Sequence, residues 1–427
     1  MIDLPRPAPI FNPITAGETV TALEFLAGPL GILAFAPLIP LLRWLAGRIG
    51  GERAIVLCGA AWVGLTAGPW SLLVLAAWLA LGVAWIGVIA RLRGRVVGVR
   101  GGVALAWVGL TALVLPFWWV SDWGWNGWTP SRLQVLHSLG PAYLYLRLLA
   151  WALDTATATT GGATAPQTGG TLLTTAAWLA YPPAMRLGPL LSRSEFAARL
   201  RAWRPRDPLP WNLVLRRGML GLVGAAALVV TLYNTPESRG GNDFFASPQD
   251  YPTDVLLRVI INTPLAIYFF LWSYNEFAAA IALAIGIPVD NNFNWAPLAT
   301  DIRDFWRRWH ITVGAWLRQY IYLPLGGKNA NPLLVFTVVF GFCALWHGPA
   351  WSFLAWGASQ ALGMCVWVAW DRLAGGAGWT DRGRSIAWTT VSRLVTLSYQ
   401  YLTVAMLVDF EHSGTRIFPE LVRRAFS

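Results

Sequence analysis

Charge is what this 427-residue chain has least of. Only 12% of its residues are Asp, Glu, Lys or Arg, against roughly 25% in a soluble domain. With 56% hydrophobic residues and a mean hydropathy of +0.50, that scarcity excludes a monomer that stays in water. Cysteine is almost missing too. Cys58, Cys343 and Cys365 lie in apolar runs without metal or disulfide spacing, so they read as small buried hydrophobes and no metal site is expected. Acidic residues are outnumbered, 21 against 32 basic ones, and nearly all of the excess is Arg. A balance of +11 can signal nucleic acid. Here, however, the arginines sit in short loops beside apolar runs, where the positive-inside effect accounts for them, and no nucleic-acid partner is expected. The opening stretch MIDLPRPAPIFNPITAGE lacks a basic region followed by an apolar core and a cleavage site, so no removable signal peptide is predicted. No repeat and no second soluble domain stand out, which predicts a single integral membrane domain over 1–427.

What the chain does have is apolar runs, at 23–45, 54–68, 70–90, 103–120, 133–153, 171–191, 212–233, 255–287, 332–346, 351–370 and 387–408. The 27 Trp suit interfacial belts. The pattern predicts an all-α polytopic protein with roughly 9–12 crossings, plus re-entrant or interfacial helices. The 255–287 run is too long for one simple crossing and is expected to bend near residues 272–275. Arginine clusters at Arg43/Arg48/Arg53, Arg91/Arg93/Arg95/Arg100 and Arg193/Arg199/Arg201/Arg204/Arg206 mark cytoplasmic loops. The stretches 121–130 and 234–252 read as external. Two complete crossings over 133–191 would then contradict the arginines at 193–206. The run 171–191, which holds Pro182-Pro183 and Gly188-Pro189, is therefore expected to be incomplete. Residues 155–170 read as a flexible loop without a readable role. The Trp-rich segment SDWGWNGW at 121–128 has two readings, an interfacial aromatic belt or a sugar-stacking lip.

Four histidines occur, His137, His310, His347 and His412. His137 and His412 lie in mixed or polar segments and read as bland. His347 closes an apolar run directly before Gly348-Pro349. An ionisable group at membrane depth is costly and points to function. His310 sits in LATDIRDFWRRWHITVGAWLRQYIYLPLGG, 298–327, a stretch too polar to cross lipid. Read as a helix, it puts Trp306, Trp309, Val313 and Trp316 on one side and the Arg303/Arg307/Arg308 cluster nearer the other, an amphipathic helix at a membrane face. The cluster has two readings, a phosphate-binding fork for a cytoplasmic donor or plain positive-inside anchoring.

DFWRRWHITVGAWLRQYIYLPLGG, 304–327, and LWHGPAWSFLAWG, 345–357, resemble the two signatures of the membrane-bound O-acyltransferase family. The likeness is nearest the bacterial branch that acylates envelope polymers. Weaker echoes at 138–154, 181–190, 274–287 and 293–302 extend the resemblance over about 130–365. It implies acyl transfer from a thioester, on coenzyme A or a carrier, to a hydroxyl of an extracytoplasmic polysaccharide, glycolipid or carrier protein. It also implies a bacterial cytoplasmic membrane and helices arranged around a central cavity, and it leaves open whether an extracytoplasmic partner acyltransferase finishes the transfer. No bound cofactor is expected. His347 is the expected general base, and His310 orients substrate or polarises the thioester carbonyl. Arg303, Arg307 and Arg308 with Trp306, Trp309, Trp346 and Trp351 are the expected substrate contacts. No Ser or Cys stands in a nucleophile motif, which favours direct transfer. The chain departs from the family pattern at Gln360, where a further His is usual, and at Asn275-Glu276 in place of Ser-Asp. The rival classes are a transporter or channel, which broken helices and intramembrane His would suit, and a non-catalytic lipid or glycan binder.

Overall fold

The computed structural model describes residues 29–93, 96–122, 141–158, 171–233, 248–347, 351–376, 385–413 and 417–425. Among these residues helices predominate, with short 3-10 and π turns, irregular connections and no strand. It is an all-α, multi-pass membrane protein. Four helices carry segments long and apolar enough to cross a bilayer, Leu72–Leu92, Trp211–Thr231, Thr253–Ile285 and Trp351–Leu373, and shorter apolar helices cover Val99–Leu113 and Pro332–His347. Residues 123–128 of the Trp-rich segment, residues 159–170 and His137 lie outside the described residues.

The described residues divide between two compact units. The first draws on Thr19–Val223 and Ser273–Asn291. It contains α1 (Leu38–Ile49), α2 (Gly51–Arg93), α3 (Val99–Asp122), α4 (Pro141–Thr157), α5 (Leu172–Leu179), α6 (Arg193–Ala202) and most of α7 (Trp211–Tyr233). Helix α2 packs against α1, α3, α4 and α5. It joins the runs 54–68 and 70–90 across a kink at Gly68, whose φ of 82° only glycine adopts readily, and Pro69 follows inside the helix.

The 171–191 run is incomplete, as its prolines predict. Helix α5 has 8 residues, about 12 Å of rise, and stops before a 3-10 turn at Pro182–Ala184. A helix that ends inside a protein leaves carbonyls without partners. Arg147, 2% exposed in the apolar α4, adds donors to this end of the run. Its Nη1 donates to the Ala184 carbonyl at 3.2 Å and its Nη2 to the Trp178 carbonyl. The guanidinium lies 4.5 Å from the centre of the Trp178 ring, a favourable cation–π distance. Arg186 repeats the device over Trp62 at 4.4 Å and donates to Thr66 Oγ1 at 3.0 Å. Two cations buried in an apolar unit are thus held by carbonyls, a hydroxyl and indole faces.

The departures at Asn275-Glu276 are structural in the same unit. Glu276 is 5% exposed and both its oxygens accept from Arg217 Nη1 at 2.9 Å. Asn275 Nδ2 donates to the Leu187 carbonyl at 3.1 Å. Some arginines of the presumed cytoplasmic loops also carry structural bonds. Arg43 Nη1 donates to the Ile285 carbonyl at 3.0 Å, and Arg199 pairs with Asp290 at 2.9 Å.

The second unit draws on Gly224–Trp272 and Asn292–Ser427. It contains α9 (Ile302–Arg308), α10 (Ile311–Leu317), a π turn (Arg318–Tyr322), α11 (Pro332–His347), α12 (Trp351–Gly376), α13 (Ile386–Ser413) and α14 (Ile417–Ala425). Helix α8 (Thr253–Ile285) contributes its residues through Trp272 to this unit and those from Ser273 to the first. It is helical without interruption through residues 272–275, so the expected bend there is not a break in the helix.

Helix α12 packs against α11, α13 and α9. Glycines set its closeness. A Cβ on Gly357 would stand 2.7 Å from the Phe340 carbonyl oxygen and 2.9 Å from the Ala344 Cβ, so α11 and α12 meet at a distance that excludes any larger residue. Gln360, fully buried, ties α12 to α13. Its Nε2 donates to Thr403 Oγ1 at 2.9 Å, and its Oε1 accepts from Gln400 Nε2 at 3.2 Å.

Candidate active site

The site grows from a broken helix. The spacing of Trp306, Trp309, Val313 and Trp316 suggests one amphipathic helix, but the chain leaves helical geometry at Trp309 and His310 and divides into α9 and α10. His310 has φ 44° and ψ 52°, a left-handed conformation uncommon for residues other than glycine. Such a conformation persists where the surroundings enforce it and is concentrated at functional sites.

Asn292 does the enforcing. Its carbonyl accepts from the Ile311 N–H at 2.9 Å. Its side-chain Oδ1 accepts from the Thr312 N–H at 3.0 Å and from Thr312 Oγ1 at 2.8 Å. The first donors of α10, which a continuous helix would have satisfied internally, are capped by a residue eighteen positions upstream of His310. The next turn of chain is pinned as well, by Asn294 N–H donating to the Arg308 carbonyl at 2.9 Å. Asn292 Nδ2 reaches His310 Nδ1 at 3.3 Å.

Aromatic rings surround His310. Phe293 lies at 4.9 Å and Trp309 at 5.5 Å between ring centres. Trp309 in turn stacks with Tyr268 at 5.8 Å and with Phe305 at 5.6 Å. Burial among these rings, with a smaller push from nearby His347, takes the His310 imidazole from an ordinary 6.5 down to about 3.

His347 is the last residue of α11, where the sequence places it. Its ring stacks on Phe353 at 5.5 Å and meets Trp346 at 4.9 Å and Trp356 edge-on at 5.6 Å. Both Phe353 and Trp356 belong to α12, so the hairpin of α11 and α12 frames the imidazole from two helices. Trp356 also meets Trp306 of α9 at 6.0 Å, and Trp306 meets Phe305 at 5.5 Å. An unbroken line of ring contacts therefore runs from His310 through Trp309, Phe305, Trp306 and Trp356 to His347.

Three of the expected substrate contacts, Trp306, Trp309 and Trp346, stand on or beside this line. Trp351 does not join it. It is 71% exposed at the start of α12. The arginine cluster is divided. Arg308 Nε donates to Asp304 at 2.9 Å and its Nη1 to the Asn294 carbonyl at 3.4 Å. Arg303 lies over the Trp367 ring at 4.9 Å, and Arg307 is exposed. Reading by residue type missed Asn292, Phe293, Thr312, Phe353 and Trp356. Only Asn292 left a trace in the sequence, as one of the paired asparagines of DNNFNW, 290–295, just before the first signature. Among the described residues no group of three His, Cys, Asp or Glu side chains could hold a metal ion.

This arrangement brings two imidazoles into one line of aromatic contacts, one of them on a strained and tightly held turn. It can accept a proton at one ring and donate a hydrogen bond from the other. A segment of 138 residues, 32% of the chain, is 33% identical to a peptidoglycan O-acetyltransferase of Helicobacter pylori and covers 26% of that protein. Over 111 residues, 25% of the chain, it is 37% identical to a probable alginate O-acetylase of Azotobacter vinelandii, with 21% of that protein covered. Over 116 residues it is 25% identical to a teichoic acid D-alanyltransferase of Streptococcus thermophilus, covering 25% of this chain and 28% of the relative. The chain thus matches only about a quarter of the length of these relatives. The family match is far broader, spanning residues 103–408 and both histidine signatures, and by it this chain belongs to the membrane-bound O-acyltransferase family.

Proposed function

We propose that this protein is an O-acyltransferase of the bacterial cytoplasmic membrane. It moves an acetyl or similar acyl group from a cytoplasmic thioester to a hydroxyl of an extracytoplasmic polysaccharide, glycolipid or carrier protein. The observation that carries the reading is the pairing of His310 and His347 across one continuous set of aromatic contacts, in a chain of this family. Envelope polymers are named for each relative above, which supports a polymer acceptor.

The step balances without an acyl-enzyme. His347 takes the acceptor hydroxyl proton as the oxygen attacks the thioester carbonyl. His310 donates a hydrogen bond to the oxyanion that forms. The C–S bond then breaks, the thiolate leaves with the proton returned by His347, and an ester and a free thiol result. Arg303 and Arg307 stand on the same short helix as Trp306, and a guanidinium fork suits the phosphates of a coenzyme A donor. Deleting the gene and weighing surface polymers and glycolipids by mass spectrometry tests the reading. Loss of an ester-linked acyl group from one envelope component is expected, restored by the wild-type chain. An unchanged acylation profile would overturn it.

A further inference from the structure

The bonding around Asn292 decides which nitrogen of His310 carries the proton. Side-chain amides and imidazoles are ambiguous when their partners are themselves ambiguous. Here one partner is not. The Thr312 backbone N–H can only donate, and it sits 3.0 Å from the Asn292 side-chain atom assigned as Oδ1. That atom must therefore be oxygen. The other amide atom is then the NH2 group, a pure donor, and it lies 3.3 Å from His310 Nδ1. A donor facing Nδ1 requires a lone pair there, so the ring is neutral and its proton is on Nε2.

We propose that Asn292 is a positioning residue that holds His310 as a fixed Nε2–H donor for the acyl-transfer step. The assignment rests on the function proposed above, and it divides the labour of the two histidines. A ring whose Nδ1 already accepts from an amide and whose Nε2 bears the proton cannot act as the general base through either atom. His347 is left with that task, and His310 meets the oxyanion. The same residue that sets the tautomer caps α10 through its carbonyl and Oδ1, so the donor's orientation and the strained turn at His310 share one anchor. His347 is the titratable side chain whose charge bears on His310. Phe293 and Trp309 supply apolar faces.

Asn292→Asp is the discriminating variant. A carboxylate still accepts from the Thr312 N–H and hydroxyl, so the cap of α10 survives. Toward His310 it can only accept, which draws the proton to Nδ1. In the neutral variant Nε2 then carries a lone pair, and only the imidazolium form keeps the Nε2–H. Two measurements follow on the full chain in lipid. In 15N-histidine spectra, simplified by the four histidines and assigned with His310→Asn, wild type should show a protonated Nε2 and a bare Nδ1, and Asn292→Asp the reverse. With acetyl-coenzyme A as donor and membranes of the producing strain as acceptor, Asn292→Asp should lose about 10²-fold in kcat, the scale of one oxyanion donor. It should also gain an alkaline limb in its pH profile that wild type lacks. A purely structural role would lower activity evenly across pH. A wild-type His310 protonated on Nδ1, an unaltered tautomer in the variant, or a reversed tautomer with unchanged kcat and pH profile would each overturn the proposal. Should wild type transfer nothing from acetyl-coenzyme A to any acceptor, the function proposed above fails instead, and the spectra alone judge the tautomer.

Discussion

His347→Ala tests the base, but it also removes a ring from a packed surround. The two effects can be separated by working out each. The imidazole touches Trp346, Phe353 and Trp356 at 4.9, 5.5 and 5.6 Å, and an aromatic pair contributes about 0.5–1.5 kcal/mol beyond area. Because His347 keeps an exposed face, the loss of packing should fall near the low end of that scale and lower thermal stability modestly. Loss of a general base should instead lower transfer by about 10²–10⁴-fold, which corresponds to roughly 3–5 kcal/mol of barrier. His347→Phe keeps a ring against Phe353 and Trp356 and discards only the proton acceptor. Both variants should therefore show the same collapse in rate, while only His347→Ala shows the small drop in melting temperature. The assay is the initial rate of acyl incorporation into envelope polymer by inverted membrane vesicles, normalised to folded protein by size-exclusion fluorescence. A His347→Phe protein retaining more than a tenth of wild-type rate would refute the assignment of the base.

Two further expectations follow from the same region. Since burial holds the His310 pKa near 3 against about 6.5 in an unfolded chain, the unfolded state binds a proton between those values that the folded state refuses. Stability is then fully present above pH 6.5 and falls as pH drops toward 3, so the melting temperature in detergent should decline on acidification less steeply for His310→Gln than for wild type; identical slopes would contradict the burial of that ring. Gln360→Leu should cost about 1–3 kcal/mol, since it takes the acceptor from the buried Gln400 amide and one of two bonds from the Thr403 hydroxyl, which keeps its bond to the Gln400 carbonyl, yet leave turnover per folded molecule unchanged. A loss of turnover would give Gln360 a part in the chemistry.

Much of this architecture is legible in the sequence because lipid imposes simple rules. Runs of apolar residues become α3, α7, α11 and α12 nearly as they read, and Pro182-Pro183 ends a helix where a missing donor must end it. His347 sits at the end of α11 because an apolar run delivers it there. What the sequence hides is whatever depends on a distant partner. Periodicity puts Trp306 and Trp316 on one helix, but it carries no trace that Asn292 will satisfy the donors of residues 311 and 312 and so permit a break. Arg147 looks like a charge misplaced in an apolar helix until the carbonyls of Trp178 and Ala184 are seen beside it. The arginine cluster reads as three equivalent cations, whereas Arg308 pairs with Asp304 and Arg303 lies over the Trp367 ring. Residue type announces chemistry here, and only tertiary contact assigns the roles.

The tight seam between α11 and α12 has a consequence for how the protein is made. Helix α11 has 16 residues, about 24 Å of rise, which is shorter than the roughly 30 Å of hydrocarbon it must occupy. Helix α12 has 26 residues and locks against it at Gly357 with no room to spare. Two of the rings that frame His347, Phe353 and Trp356, belong to α12, so neither helix alone builds the surround of that imidazole. A chain that ends before α12 would carry His347 without that frame.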